Sequence, residues 1–99
     1  YSEEVNAEII SLLQFELAQN YPNPFNPATT IKFSIPQSSN VTLKIFNTLG
    51  QEIKTLLNQN MESGVHTINF DASDLNSGIY FYKLYAGQFS EVRKMTLIK

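Results

Sequence analysis

The sequence predicts an all-β fold: a seven-stranded antiparallel Ig-like β-sandwich, preceded by a short N-terminal linker or helix. Three observations predict it. Apolar and polar residues alternate in seven short segments after residue 14, spaced roughly ten residues apart with turn signals between them. No segment after residue 14 carries a helical period. The 99 residues make one domain, and 42% hydrophobic with 12% aromatic content suits a packed globule. A chain of this size buries somewhat over ~60% of its unfolded surface, enough for a modest core without staples.

Residues 1–14 read differently. Val5, Ile9, Leu12 and Leu13 fall on one helical face, and Ser2 stands as an N-cap before Glu3 and Glu4. The segment is either a linker or a short helix ending an upstream passenger. From Phe15 the pattern turns to β: Phe15, Leu17 and Gln19 alternate with Glu16 and Ala18 as a short edge strand. Gln19 to Pro27 follows, with prolines at 22, 24 and 27 that exclude helix and remove ladder donors. It is expected to run as an extended crossover, pinned to the core by Tyr21 and Phe25.

Ile31, Phe33 and Ile35 are the inward set of the next strand, stopped by Pro36 and a Gln37–Asn40 turn. Val41, Leu43 and Ile45 form the third inward set, closed by a turn at Asn47–Gly50. Gln51 to Leu57 is the fourth strand, with Ile53 and either Leu56 or Leu57 inward and a bulge expected. Asn58 to Gly64 reads as the longest loop of this half. His66, Ile68 and Phe70 point inward on the fifth strand, and Asp71 to Gly78 is a polar corner anchored by Leu75. Ile79 to Ala86 is nearly all apolar, as expected for a central strand covered on both faces. Gly87-Gln88 makes a tight turn into a last strand, Phe89 to Ile98.

Charge and composition narrow the function classes. The formal net charge is −2, and Glu3, Glu4, Glu8 and Glu16 precede every basic residue. Seven basic and five acidic residues remain after position 16, a balance of about +2, too mild for a nucleic-acid footprint. No apolar run reaches the roughly 18 residues of a membrane span, so no stable membrane insertion is expected. Cysteine is absent, which removes disulfides and thiolate chemistry. No basic-then-apolar leader opens the chain, so an export peptide is expected at the distant start of a longer protein that ends here.

Candidate chemistry is sparse. His66 is the only histidine and sits on an inward strand face, the position of a structural residue. No Gly-x-Ser-x-Gly elbow occurs. Asp71 and Asp74 could form a carboxylate pair, but their Ser/Asn-rich corner is ordinary turn capping. Asn69, Asp71 and Ser73 alternate like calcium-loop ligands, yet Asp74 stands where the turn glycine belongs and Tyr80 where the bidentate glutamate belongs. Gly50, Gly64, Gly78 and Gly87 sit singly, without a phosphate-cradling loop. Asn40-Val41-Thr42 matches a glycosylation sequon, a short pattern common by chance. The reading is a protein without catalytic residues, cofactor or metal. Tyr80, Phe81, Tyr82 and Tyr85 leave a choice between core packing and an aromatic face that meets a sugar or a partner.

Four stretches in order carry a family resemblance: Gln19–Pro27 with Thr29–Phe33, Val41–Ile53, Leu75–Leu84 and Lys94–Lys99. Residues 15–99 thereby resemble the type IX secretion system C-terminal sorting domain, type A family, of Bacteroidetes and related bacteria. The resemblance implies a non-catalytic label that carries an upstream passenger through the outer-membrane translocon. It implies a shuttle protein that collects the label and a sortase that removes it, with cleavage within or upstream of residues 1–16. It further implies passage through the periplasm to the cell surface or the extracellular space.

The residues expected to carry the signal or contact partners are Tyr21, Pro22, Asn23, Pro24, Gly78, Tyr80, Lys94, Met95, Leu97 and Lys99. Alternation turns Met95 and Leu97 inward and Lys94 and Thr96 outward, with Arg93 and Lys99 at the strand's ends. Strand addition to this edge is the expected mode of engagement. The alternative is a carbohydrate-binding or spacer Ig-like module of a secreted multidomain enzyme.

Overall fold

A computed structural model describes residues 14–99. The linker-or-helix reading covers residues 1–14, of which all but Gln14 lie outside the described residues. The chain forms seven strands: β1 (Glu16–Leu17), β2 (Ala28–Ile35), β3 (Ser39–Phe46), β4 (Glu52–Met61), β5 (Gly64–Asp71), β6 (Gly78–Ala86) and β7 (Phe89–Leu97). They build two antiparallel sheets, one ordered β1-β2-β5 and the other β4-β3-β6-β7.

Period-2 alternation decides which side chains face between the sheets. Ile31, Phe33 and Ile35 of β2 meet Val41, Leu43 and Ile45 of β3 and Tyr82, Leu84 and Ala86 of β6, all essentially without solvent contact. Met95 and Leu97 of β7, Phe70 of β5 and Leu17 of β1 complete this cluster, with Phe25 and Ala72 contributed by loops. Burying one such aliphatic or aromatic side chain contributes about 1.5–3 kcal/mol. The β6–β7 hairpin turns in two residues, with Ala86 opposite Phe89. Gly87 has φ +62°, which the tight turn requires and a side chain would strain.

Four expectations are corrected. The stretch Asn58–Gly64 is not a loop: β4 runs on to Met61, and Asn60, Gln59 and Asn58 pair with Asn40, Val41 and Thr42. Its asparagines have poor strand propensity, but pairing with β3 overrides it at a solvated edge. Ile53 is not inward but 38% exposed. Two register shifts explain this, because Lys44 pairs with Thr55 and Phe46 with Glu52, leaving Leu56 and Ile53 as extra residues. Tyr21 is not a core anchor but 81% exposed. β6 is central within its sheet, yet only one of its faces is covered: Ile79 is exposed, and Phe81, Lys83 and Tyr85 are half-buried.

Candidate functional site

The predicted signal residues gather at one end of β7, where three of the four sequence stretches meet. The strap from Gln19 to Pro27 leaves β1 and crosses to the outer edge of the last strand. The Tyr21–Pro22, Asn23–Pro24 and Asn26–Pro27 peptide bonds are cis. Tyr21 anchors the strap by its backbone: its N–H donates to Thr30 O, and Thr30 N–H returns a bond to Tyr21 O. That pairing turns the Tyr21 ring to solvent, which is why it fails as a core residue. Phe25 is buried instead, its ring centroid 6.2 Å from that of Phe70.

Phe25 also pairs with β7 as a parallel bridge to Leu97. Its N–H donates to Thr96 O at 3.0 Å, and Ile98 N–H donates to Phe25 O at 2.9 Å. Thr96 N–H donates to the Asn23 side-chain oxygen at 3.0 Å, and Gln19 Nε2 donates to Lys94 O at 2.7 Å. The edge of β7 from Lys94 to Ile98 is therefore already hydrogen-bonded within the chain. Strand addition there would require the strap to leave.

A buried polar network holds the strap's base. The Tyr82 hydroxyl donates to Ala18 O at 2.6 Å and accepts from Asn20 N–H at 2.7 Å. Asn20 Nδ2 donates to Pro22 O and to Thr29 Oγ1, whose own proton goes to Pro22 O. Asn20 and Thr29 are buried, and among the described residues no buried side-chain polar atom lacks a partner. Burial pushes the Tyr82 phenol up to about 12, against the opposing pull of its bond from Asn20. The phenol is therefore neutral at ordinary pH and free to donate.

The corner between β5 and β6 receives the other side of the tail. Lys99 Nζ donates to Ser73 O and Leu75 O, and Lys99 N–H donates to Ser77 Oγ. Gly78 pairs with Leu97 and Tyr80 with Met95. The Tyr80 hydroxyl closes the corner by donating to Asn76 O at 2.7 Å. Arg93 does not end the strand; its Nε crosses to Leu17 O and ties β7 to β1, while Nη2 lies 3.3 Å from Glu91.

Of the predicted residues, Met95 and Leu97 are core, Tyr80 and Lys99 hold the corner, and Asn23 holds the strap. Tyr21, Pro22, Pro24 and Lys94 are exposed beside them. Sequence reasoning left Asn20, Thr29 and Tyr82 out of the site. A tyrosine on the inward face of a central strand was the available signal, since a buried hydroxyl needs a partner. The His66 ring lies tilted against Phe33 at 5.5 Å between centroids, and its Nε2 lies 2.8 Å from Glu62 O. The Asp71 carboxylate accepts from Ser73 N–H and shapes the turn.

The strap and the last residues of β7 thus interlock along one edge of a small two-sheet sandwich. Residues 19–99 match the family described as Secretion system C-terminal sorting domain, and the chain belongs to that family. The family serves type IX secretion, and its role is sorting exported proteins toward the cell surface or extracellular space. No curated protein matches the chain. Among solved structures, PorZ of Porphyromonas gingivalis, described as an essential bacterial surface component of the type IX secretion system, is similar over 86% of this chain. The TM-score is 0.56 and the identity 22%. Dimeric latent PorU of the same organism is similar over 86% of the chain, with TM-score 0.66 and 16% identity. At these identities the likeness is one of fold. The chain spans 11% and 9% of those two proteins' lengths.

Proposed function

We propose that residues 15–99 act as a folded, non-catalytic label which a shuttle protein and the outer-membrane translocon read and a sortase removes, cutting within or upstream of residues 1–16. The observation that carries this reading is the convergence at the end of β7. Gln19, Asn23 and Phe25 bind Lys94 to Ile98 from one side, and the Ser73–Ser77 corner binds Lys99 from the other. Sequence stretches some seventy residues apart thus form one surface, so the label is conformational rather than a linear string. Tyr21, Pro22, Asn23, Pro24, Gly78, Tyr80, Lys94, Met95, Leu97 and Lys99 act either by displaying that surface or by holding it in shape.

The test is to fuse the whole chain to a periplasmic reporter in a host with a type IX system. Surface delivery with loss of the tag is the expected result; a reporter that stays periplasmic overturns the reading. Deleting residues 94–99 abolishes delivery, but it also removes the core residues Met95 and Leu97. The paired variant is therefore Tyr21→Ser, which alters only an exposed strap side chain and keeps every proline. It should reduce delivery while leaving the thermal midpoint in place.

A further inference from the structure

The two outer faces of the sandwich are built from different chemistry. On the three-stranded sheet the outward positions are mostly polar, such as Thr30 and Lys32 on β2 and Thr67 and Asn69 on β5, with Val65 an apolar exception. On the four-stranded sheet, strand register sets Phe46 beside Phe81 and Phe81 beside Lys94. The adjoining row holds Lys44, Lys83 and Val92 side by side. Phe46, Phe81, Tyr85 and Val92 line a shallow groove of about 320 Å³, walled by the turn from Asn47 to Gly50. Val92 and Ile79 are 53% and 42% exposed on this face.

Its charge is one-sided. Lys44, Lys83 and Lys94 stand against Glu52, which is held 3.0 Å from Lys44. Lys83 Nζ lies 5.0 Å above the Tyr85 ring. Among the described residues neither Lys83 nor Lys94 has a carboxylate partner.

The groove's polar capacity decides what fits it. A sugar needs convergent donors and acceptors for its hydroxyls. Asn47 cannot serve, because its Oδ1 already accepts from Leu49 and Gln51 N–H and its Nδ2 donates to Gln51. Thr48, the Tyr85 hydroxyl and the Lys83 ammonium are the other side-chain polar groups of the lining, few and spread along its length. An apolar side chain, by contrast, finds an aromatic floor with cations at its rim, the pattern of a protein hot spot.

We propose that the outer face of the four-stranded sheet is a protein-docking surface, whose partner seats an apolar or aromatic side chain over Phe81 and sets carboxylates against Lys83 and Lys94. This deepens the sorting reading and rests on it, because a label read in folded form needs a face that other proteins meet. The surface adjoins the strap at Lys94, whose carbonyl accepts from Gln19, and runs away from it to Phe46 and the Asn47–Gly50 turn.

The first test is a titration of the isotopically labelled full chain, followed by amide resonances, with a synthetic peptide carrying Leu-Phe flanked by Asp and Glu. Shifts at Phe46, Phe81, Lys83, Tyr85 and Val92, with Thr30 and Asn69 unmoved, are expected. Lys83→Glu with Lys94→Glu should weaken this binding about tenfold or more. Absence of shifts, or equal binding of a peptide with Lys in place of the acids, overturns the proposal. Shifts produced only by an oligogalacturonate probe overturn it too, by assigning the face to an anionic glycan.

The second test uses the reporter fusion. Delivery should fall at least about tenfold for K83E/K94E and also for the milder K83Q/K94Q, which keeps the fold if the reversal does not. Normal delivery of K83Q/K94Q beside a delivered wild type overturns the docking face, and with it a signal role for the Lys94 side chain, while the sorting reading stands. Failure of the wild-type fusion overturns the sorting reading instead.

Discussion

On the β1–β7 side, the sandwich is closed by interlocking parts. The strap pairs with β7, Arg93 reaches Leu17 across the sheets, Phe15 stacks on Phe89 at 5.0 Å, and Tyr82 binds both Ala18 and Asn20. On the β4–β5 side, two long strands stand at the outer limits of their sheets. There the cover is thin: Lys54 lays its ammonium 5.8 Å from the Phe70 ring, and two bulges break the regularity of β4. Bulges and charges are the usual protection of an open edge against unwanted pairing. One edge is thus sealed by directional bonds among residues far apart in sequence, the other only shielded. The sealed edge gathers three of the four stretches that bear the family resemblance, while Val41–Ile53, in β3 and β4, lies toward the open one.

This contrast can be broken at the sealed side most strongly through Phe25. Phe25→Ala should destabilise the domain by about 3–5 kcal/mol, read from the midpoint of denaturant unfolding at unchanged m-value. If the loss is no larger than that for an exposed residue such as Ile53→Ala, the strap is not a structural part of the sandwich. Tyr82→Phe comes next. It removes the partner of a partly buried carbonyl and a buried N–H, at a cost of about 1–3 kcal/mol by the same measurement.

Tyr82 also makes the sealed edge sensitive to alkali. Its folded-state value of about 12 lies above the unfolded value of 10, so the neutral phenol is the form that folding favours. The stability it contributes is complete below pH 10 and is lost as pH rises through about 12. Tyrosinate absorbance should show one phenol titrating late, and Tyr82→Phe should remove that late step. A smaller effect is expected at Asn23→Ala, about 0.5–1.5 kcal/mol, with faster amide exchange at Thr96 and unchanged exchange in β3.

The smallest effect belongs to the open side. Lys44 and Thr55 hydrogen bonds hold the Glu52 carboxyl below its usual range, in the order Lys44 then Thr55. A lowered folded value means a contribution present above the unfolded value and lost as pH falls through the folded one. The carboxylate faces solvent, so Glu52→Gln should leave stability almost unchanged and any difference should vanish in high salt.

Strand identity was legible wherever alternation ran unbroken. Ile31-Phe33-Ile35, Val41-Leu43-Ile45 and Met95-Leu97 are all buried as their spacing requires. The same rule misplaced Ile53, because each extra residue in β4 reverses the phase and no local signal dates the reversal. It also took Asn58–Gly64 for a loop, since Gln59 interrupts the apolar alternation between Leu57 and Met61, which pack against the core. At the site, the prolines announced an extended strap and the last strand's inward residues were evident. That the strap covers β7 was not.

What the chain alone determined is its repertoire: short strands with inward residues named in advance, no thiol chemistry, and motifs that resemble a sorting label. Only the folded arrangement decided that Phe25 rather than Tyr21 anchors the strap, that Asn20, Thr29 and Tyr82 share one buried network, and that Lys99 reaches Ser73 and Leu75. The reason is physical. Alternation is a property of neighbours along the chain, whereas satisfying a buried hydroxyl or an unpaired strand edge depends on which distant segment folding brings within hydrogen-bond reach.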